Sequence, residues 1–145
     1  MSINIYYDRT RFRLKEEDKL KKFIIRVIAE HKRRTGELNF IFTRDRYLIE
    51  INREFLNHDY FTDVIAFDYS EESLLNGEVY ISIDTVKRNS KKYECDLNTE
   101  ASRVMLHGVL HLCGLNDIDP EDREVMQKEE ERFMALLRKW LLNEF

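Results

Sequence analysis

Ile3 and Ile5 alternate with polar neighbours at the start of the chain, the two-residue period of a short strand. The period then changes. Leu20, Phe23, Ile24, Val27 and Ile28 recur at spacings of three and four, one apolar stripe of an amphipathic helix expected to end near Gly36. Residues 38–43 read as a strand, and residues 45–55 return to helical spacing through Leu48, Ile51 and Phe55. Residues 64–69 and 78–83, rich in β-branched and aromatic side chains, predict two more strands joined by the connector SEESLLNG. Asp84 stands where it could cap a short helix through Lys92; Asn98 opens the next helix, with Glu100 in its first turn and Gly114 just beyond its end. The last helix carries the fullest set of signals: Asp119 as N-cap, Pro120 at the first position, and Glu121 and Asp122 against the positive end of the dipole. Met126, Phe133, Leu137 and Leu141 then form its apolar stripe. Four or five helices and about four strands without strict βαβ alternation predict an α+β fold, one mixed sheet covered by helices.

Composition narrows this to one domain over residues 1–145. With 43% apolar residues the chain supports a core, and 4 Gly and 1 Pro exclude linker-rich, disordered and collagenous classes. No apolar run approaches the roughly 20 residues of a membrane span, and MSINIYYDRT lacks the basic-then-apolar layout of a secretory signal, so a cytoplasmic protein is expected. Cys95 and Cys113 are too few for a disulfide framework and read as free thiols. The net charge of −4 hides a split: residues 9–34 hold 11 basic against 4 acidic side chains, residues 117–145 hold 5 against 9. A pI near 5.6 argues against a general nucleic-acid coat protein. A basic face over residues 15–34 is either a polyanion footprint or a solvated helix surface.

The chemistry concentrates in His107-Gly108-Val109-Leu110-His111-Leu112-Cys113-Gly114-Leu115-Asn116-Asp117, at the end of the helix opened by Asn98. Histidines four apart on a helix share one face, so both imidazoles can reach one metal ion at roughly 2.0–2.1 Å. HxxxH alone also arises as two buried histidines satisfied by backbone carbonyls. Here Gly114 lets the chain leave the helix with positive φ, and Asp117 returns toward the same face. Ligand, ligand, glycine, ligand in that order is the register of the metzincin zinc proteases. Two positions differ: Gly108 replaces their general-base Glu, and Asp117 replaces their third His. A carboxylate oxygen is an accepted zinc ligand, whereas losing the Glu removes the usual proton acceptor for peptide hydrolysis. Asp119 is a rival ligand unless it caps the last helix. Gly108 either admits a second backbone or substrate close to the helix or marks a packing spot.

HGVLHLCGLND resembles the HGxLHLxGxDH signature of the YbeY family, metal-dependent single-strand-specific endoribonucleases of ribosomal RNA maturation. A second stretch, Asn57-His58-Asp59-Tyr60-Phe61-Thr62-Asp63-Val64-Ile65-Ala66-Phe67, resembles that family's RxxDxxTDVLSF segment, and Gly77-Glu78-Val79-Tyr80-Ile81-Ser82 stands in the place of its GDIxI strand. With Glu124 and Met126 the likeness runs over about residues 50–130. The family's third His falls on Asp117, and its Arg falls on Leu56, with Arg53 one helical turn earlier and His58 nearby as basic stand-ins.

The resemblance implies a zinc-dependent endoribonuclease that cuts single-stranded RNA in ribosomal RNA maturation and ribosome quality control. One zinc per chain would sit on His107, His111 and Asp117, and the partners would be ribosomal RNA and ribosomal proteins or the small subunit. Three protein ligands leave the fourth tetrahedral position to water, whose pKa the metal lowers towards about 7. His58 and Asp63 are the candidate catalytic groups, Asp63 being alternatively a loop anchor before a strand. Arg53, Lys87 and Arg88 are the candidate phosphate contacts; the last two belong, with Lys91 and Lys92, to a cluster that also fits a solvated face. Tyr60, Phe61, Tyr69 and Tyr80 could stack unpaired bases or fill the core. Two other classes stay open: a ribosome-assembly factor with a structural metal, which would need a fourth ligand, and a metal-dependent protease or amidohydrolase.

Overall fold

The change of period along the chain translates directly into elements in the computed structural model, which describes residues 2–55 and 63–142. In chain order these are β1 (Ser2–Tyr7), α1 (Glu17–Glu30), β2 (Arg34–Thr43), α2 (Asp45–Phe55), β3 (Val64–Asp68), β4 (Leu74–Ser82), α3 (Ile83–Lys92), α4 (Leu97–Leu112) and α5 (Pro120–Leu141). The strands form one sheet in the order β1-β2-β4-β3; β2 pairs in parallel with β1 and β4, and β3 runs antiparallel to β4. This is the mixed four-stranded α+β architecture that the pattern predicts.

Strand alternation divides the sheet into two faces. Ile3, Leu38, Phe40, Phe42, Leu75, Val79 and Ile81 point inward and are buried with Phe23, Ile24 and Val27 of α1, the apolar side of α4, and Met126, Phe133 and Leu137 of α5. On the outer face α2 covers only the β3–β4 side, through Leu48 and Ile51 against Ile65, Phe67 and Tyr80. The stripe predicted for the last helix is therefore the one that closes the core. Among the described residues no helix is long and apolar enough to cross a membrane.

Some boundaries differ from the sequence reading, each for a local hydrogen-bonding reason. The first helix stops at Glu30, well short of Gly36, because Lys32 takes the left-handed conformation (φ 61°). The Lys32 and Arg33 amides then bond back to Ala29 and Ile28, closing the helix without a glycine. That frees Arg34 to pair with Leu74, so β2 and β4 both begin earlier than expected and the end of the SEESLLNG connector is strand. The cap of α3 is Ser82, whose Oγ accepts from the Thr85 amide; Asp84 lies in the first turn and holds Arg44 instead. The cap of α4 is Asp96, two residues before Asn98, whose side chain accepts from the Lys15 amide. Asp119 caps α5 as predicted, accepting from the Asp122 amide at 2.8 Å.

Candidate metal centre

One side of α4, including Ala101, Val104, Met105, Gly108 and Val109, is buried in the core, and Gly108 is what seats it on the sheet. A Cβ at Gly108 would lie 2.7 Å from a Val79 methyl, so the glycine marks close helix–strand packing. The spacing 100, 103, 107, 111 gathers Glu100, Arg103, His107 and His111 on another side of the helix, where Glu130 of α5 reaches both Arg103 and His107.

The end of α4 is a Schellman turn. Gly114 adopts φ 107°, its amide bonds to the His111 carbonyl, and the Leu115 amide reaches back to Leu110, each at 3.0 Å. Arg33 adds a guanidinium bond to the Leu112 carbonyl at 3.0 Å. The reversed chain brings Asp117 back over the two histidines before Asp119 starts α5. His107 Nε2 and His111 Nε2 lie 3.0 Å apart, with Asp117 oxygens 3.4 Å from the first and 3.6 Å from the second. Ligands at zinc–nitrogen and zinc–oxygen distances on a tetrahedron stand about 3.3 Å from one another, so this donor set has the spacing a single small cation needs. Two partly buried imidazoles and a carboxylate are also the donor chemistry zinc accepts, and these three residues form the metal-competent cluster found among the described residues.

The electrostatics of the two rings differ. Burial opposes charging His107, but the hydrogen bond it donates to Glu130 and the charges of Glu130, Asp63 and Asp117 outweigh it and hold its pKa above the usual range. His111 is pushed below that range by burial and by its neighbour His107, against a smaller pull from Asp117. His107 and Asp117 open onto a groove of about 650 Å³ between α4 and α5, lined further by Tyr93, Arg103, Arg123 and Glu130.

The other sequence-predicted residues are dispersed. Asp63 sits beside the cluster: its carbonyl accepts from the Ser82 amide at 2.9 Å, and its carboxylate lies 4.0 Å from the Arg103 guanidinium. Arg53 lines a different cleft with Arg9, Arg44, Arg46 and Asp84, to which the His–His–Asp cluster does not contribute among the described residues. Lys87 is exposed on α3, and Arg88 is held by Asp45 and Thr85 at 2.9 and 2.8 Å. Tyr80 packs edge-on to Phe67 on the outer face, away from α4, and Tyr69 donates to Glu78. His58, with Leu56, Tyr60, Phe61 and Thr62, lies outside the described residues.

Sequence reasoning missed the acid–base chain behind His107. Glu130 accepts from Arg103 at 2.7 Å and lies 2.8 Å from His107 Nδ1, and Glu100, buried in the first turn of α4, clamps Arg103 at 2.9 and 2.6 Å. The signal was present: Met126, Phe133 and Leu137 leave one gap in the apolar stripe of the last helix, and Glu130 fills it. A carboxylate in a core register demands a buried partner.

Comparison with known proteins converges on one family. Residues 4–138 match the family model described as Endoribonuclease YbeY. An "Endoribonuclease YbeY" of Parabacteroides distasonis is 44% identical over 114 residues, 78% of this chain and 80% of the relative. That of Karelsulcia muelleri is 42% identical over 137 residues, 94% and 96% of the two chains. The solution structure of a Thermotoga maritima protein superposes with a TM-score of 0.66 at 22% identity, covering 98% of this chain and 93% of the other, and so shares the fold.

Proposed function

The chain belongs to the Endoribonuclease YbeY family, and from that premise we propose that His107, His111 and Asp117 hold one zinc ion with which the protein cuts single-stranded RNA in ribosomal RNA maturation. The activity is that of an endoribonuclease. The observation that carries the residue assignment is the spacing of the three donor atoms, 3.0 to 3.6 Å, on a turn whose hydrogen bonds leave little freedom. A set of three protein donors supports a site with one position left for reacting groups.

When bound, zinc would polarise a phosphoryl oxygen and lower the pKa of a water towards about 7. The chain's own residues do the rest. His107 and His111 present ring nitrogens from a rigid helix, and Asp117 adds a carboxylate that lowers the net charge of the site relative to a three-histidine set. Asp63, whose carboxylate lies 4.0 Å from the Arg103 guanidinium, would orient a substrate hydroxyl or water. Lys87, exposed on α3, is a phosphate contact; Arg88 serves the same strand of RNA only by leaving Asp45. Arg53, in its separate cleft, would meet RNA away from the cut. His58 keeps its place as a candidate acid or base. The partners that fit are ribosomal RNA and the small ribosomal subunit with its proteins, in the cytoplasm.

The test is metal content of untagged protein by elemental mass spectrometry, beside His111→Ala and Asp117→Ala, followed by cleavage of single-stranded against duplex RNA. About one zinc per wild-type chain, lost in both variants together with single-strand cleavage, is the expected result. Metal untouched by either change would overturn the ligand assignment. A 2′,3′-cyclic phosphate product would identify attack by the RNA's own 2′-hydroxyl, and cleavage of DNA would refute that route.

A further inference from the structure

Both ring nitrogens of His107 are engaged by side chains, whereas His111 also bonds to the Leu115 backbone. The His107 Nε2 faces His111 and Asp117, while its Nδ1 lies 2.8 Å from a buried Glu130 oxygen. A carboxylate has no proton to give, so the proton in that bond belongs to Nδ1. A neutral ring that keeps its proton on Nδ1 offers a lone pair at Nε2, on the side of the ligand cluster. Glu130's other oxygen is also committed, accepting from Arg103 at 2.7 Å, and Arg103 is held from behind by both oxygens of Glu100. Asn89 of α3 reaches the same Glu100 carboxylate at 3.5 Å, so the chain runs across three helices before ending on the ring.

We propose that Glu130 is a positioning residue that locks His107 in its Nδ1–H tautomer and so presents Nε2 to zinc, with Arg103 and Glu100 aiming the carboxylate. The role rests on the reading of His107 as a zinc ligand. A free histidine side chain favours the opposite tautomer, with the proton on Nε2, so without Glu130 the ring would hold its proton where the metal must bind. The three charges of Glu100, Arg103 and Glu130 sum to one negative charge behind the ring, which makes Nε2 a stronger donor. Only a carboxylate of this length fits both bonds. Gln supplies one acceptor and one donor, and its amide would meet either the ring N–H or the guanidinium with the wrong group; Asp is one methylene short.

The experiment has two readouts on the intact chain. Long-range proton–nitrogen NMR on metal-free protein, above the pH range in which imidazole is charged, reports the tautomer of His107, assigned against His107→Asn. Competition for zinc with a chromophoric chelator reports affinity. The expected result is Nδ1–H at His107 in the wild type and a shift towards Nε2–H in Glu130→Gln. Zinc should bind that variant about ten- to a hundredfold more weakly at an unchanged stoichiometry. Arg103→Lys, which keeps the charge but loses the fork, should fall between. Nε2–H in the wild-type protein overturns the proposal, even if Glu130→Gln does not fold. So does a folded Glu130→Gln with wild-type tautomer and wild-type affinity. Wild-type protein that shows Nδ1–H yet binds no zinc refutes the metal reading instead, and the two failures are thereby told apart.

Discussion

Replacing Gly108 by alanine tests how the ligand-bearing helix is seated. The added Cβ would stand 2.7 Å from Val79 Cγ1, 3.3 Å from Cγ2 and 3.6 Å from a Val64 methyl. Val79 is fully buried in β4 and, being β-branched, has no easy rotamer to move into, so α4 must lift from the sheet. Overpacking of this kind costs about 1–3 kcal/mol. Against it stands a gain of about 1 kcal/mol for exchanging a mid-helix glycine for alanine. The balance is a loss of about 1 kcal/mol for Gly108→Ala, roughly 2–4 °C in melting temperature for a chain of this size. Urea unfolding read by far-UV circular dichroism gives the number, and a second background gives its cause. With Val79→Ala in place the obstructing methyl groups are gone, so adding Gly108→Ala there should raise stability by up to about 1 kcal/mol. The same substitution thus changes sign between the two backgrounds. If Gly108→Ala stabilises the protein in both, the contact with Val79 does not constrain α4 and the packing argument fails.

Two further outcomes follow from individual hydrogen bonds. Asp119→Ala removes the cap of α5 and should cost about 0.5–2 kcal/mol in urea unfolding while the protein still purifies with its metal; loss of zinc in that variant would make Asp119 a ligand rather than a cap. Burial works against the Asp84 carboxylate, but bonds from Arg44 and the Asp45 amide, with the charges of Arg44 and Arg88, hold its pKa below the usual value. Its contribution is therefore complete above the unfolded-state value of about 3.9 and fades as pH falls towards the folded-state pKa. Asp84→Asn should be less stable than wild type by about 1 kcal/mol at neutral pH, with the gap narrowing below about pH 4; a gap that is constant with pH would show that the carboxylate's charge is not what matters.

What the sequence made legible was what depends on neighbours along the chain. The three ligand candidates lie within one helix end and its exit turn, so their convergence could be read from spacing and one glycine. The cap of α5 was equally local. What escaped was set by partners far away: β2 begins at Arg34 because Leu74 awaits it, and no local signal distinguishes that from a loop. The left-handed residue that ends α1 is Lys32, a type with no preference for that conformation, so the stop was misplaced onto Gly36. Glu130 was visible as a polar interruption of an apolar stripe, but its partners Arg103 and His107 are on another helix. Arg53 and the His107 cluster, joined in the sequence reading as parts of one site, belong to different clefts because α2 lies on the outer face of the sheet and α4 on the inner.

The strand order carries a consequence for synthesis on the ribosome. β2 is central, yet neither of its sheet neighbours adjoins it in the chain: β1 precedes it by a helix, and β4 follows only after α2 and β3. An emerging chain that has completed β2 must therefore add about forty residues before its second edge can be paired, roughly 2–8 s at ordinary elongation rates. During that interval the edge carries Leu38, Phe40, Ile41 and Phe42, an apolar β-forming run without a covering strand. The edge of β2 thus stays open midway through translation, and the inner face carrying Leu38, Phe40 and Phe42 waits longer still, until α4 and α5 supply its cover, so dependence on chaperones should extend to the release of the chain.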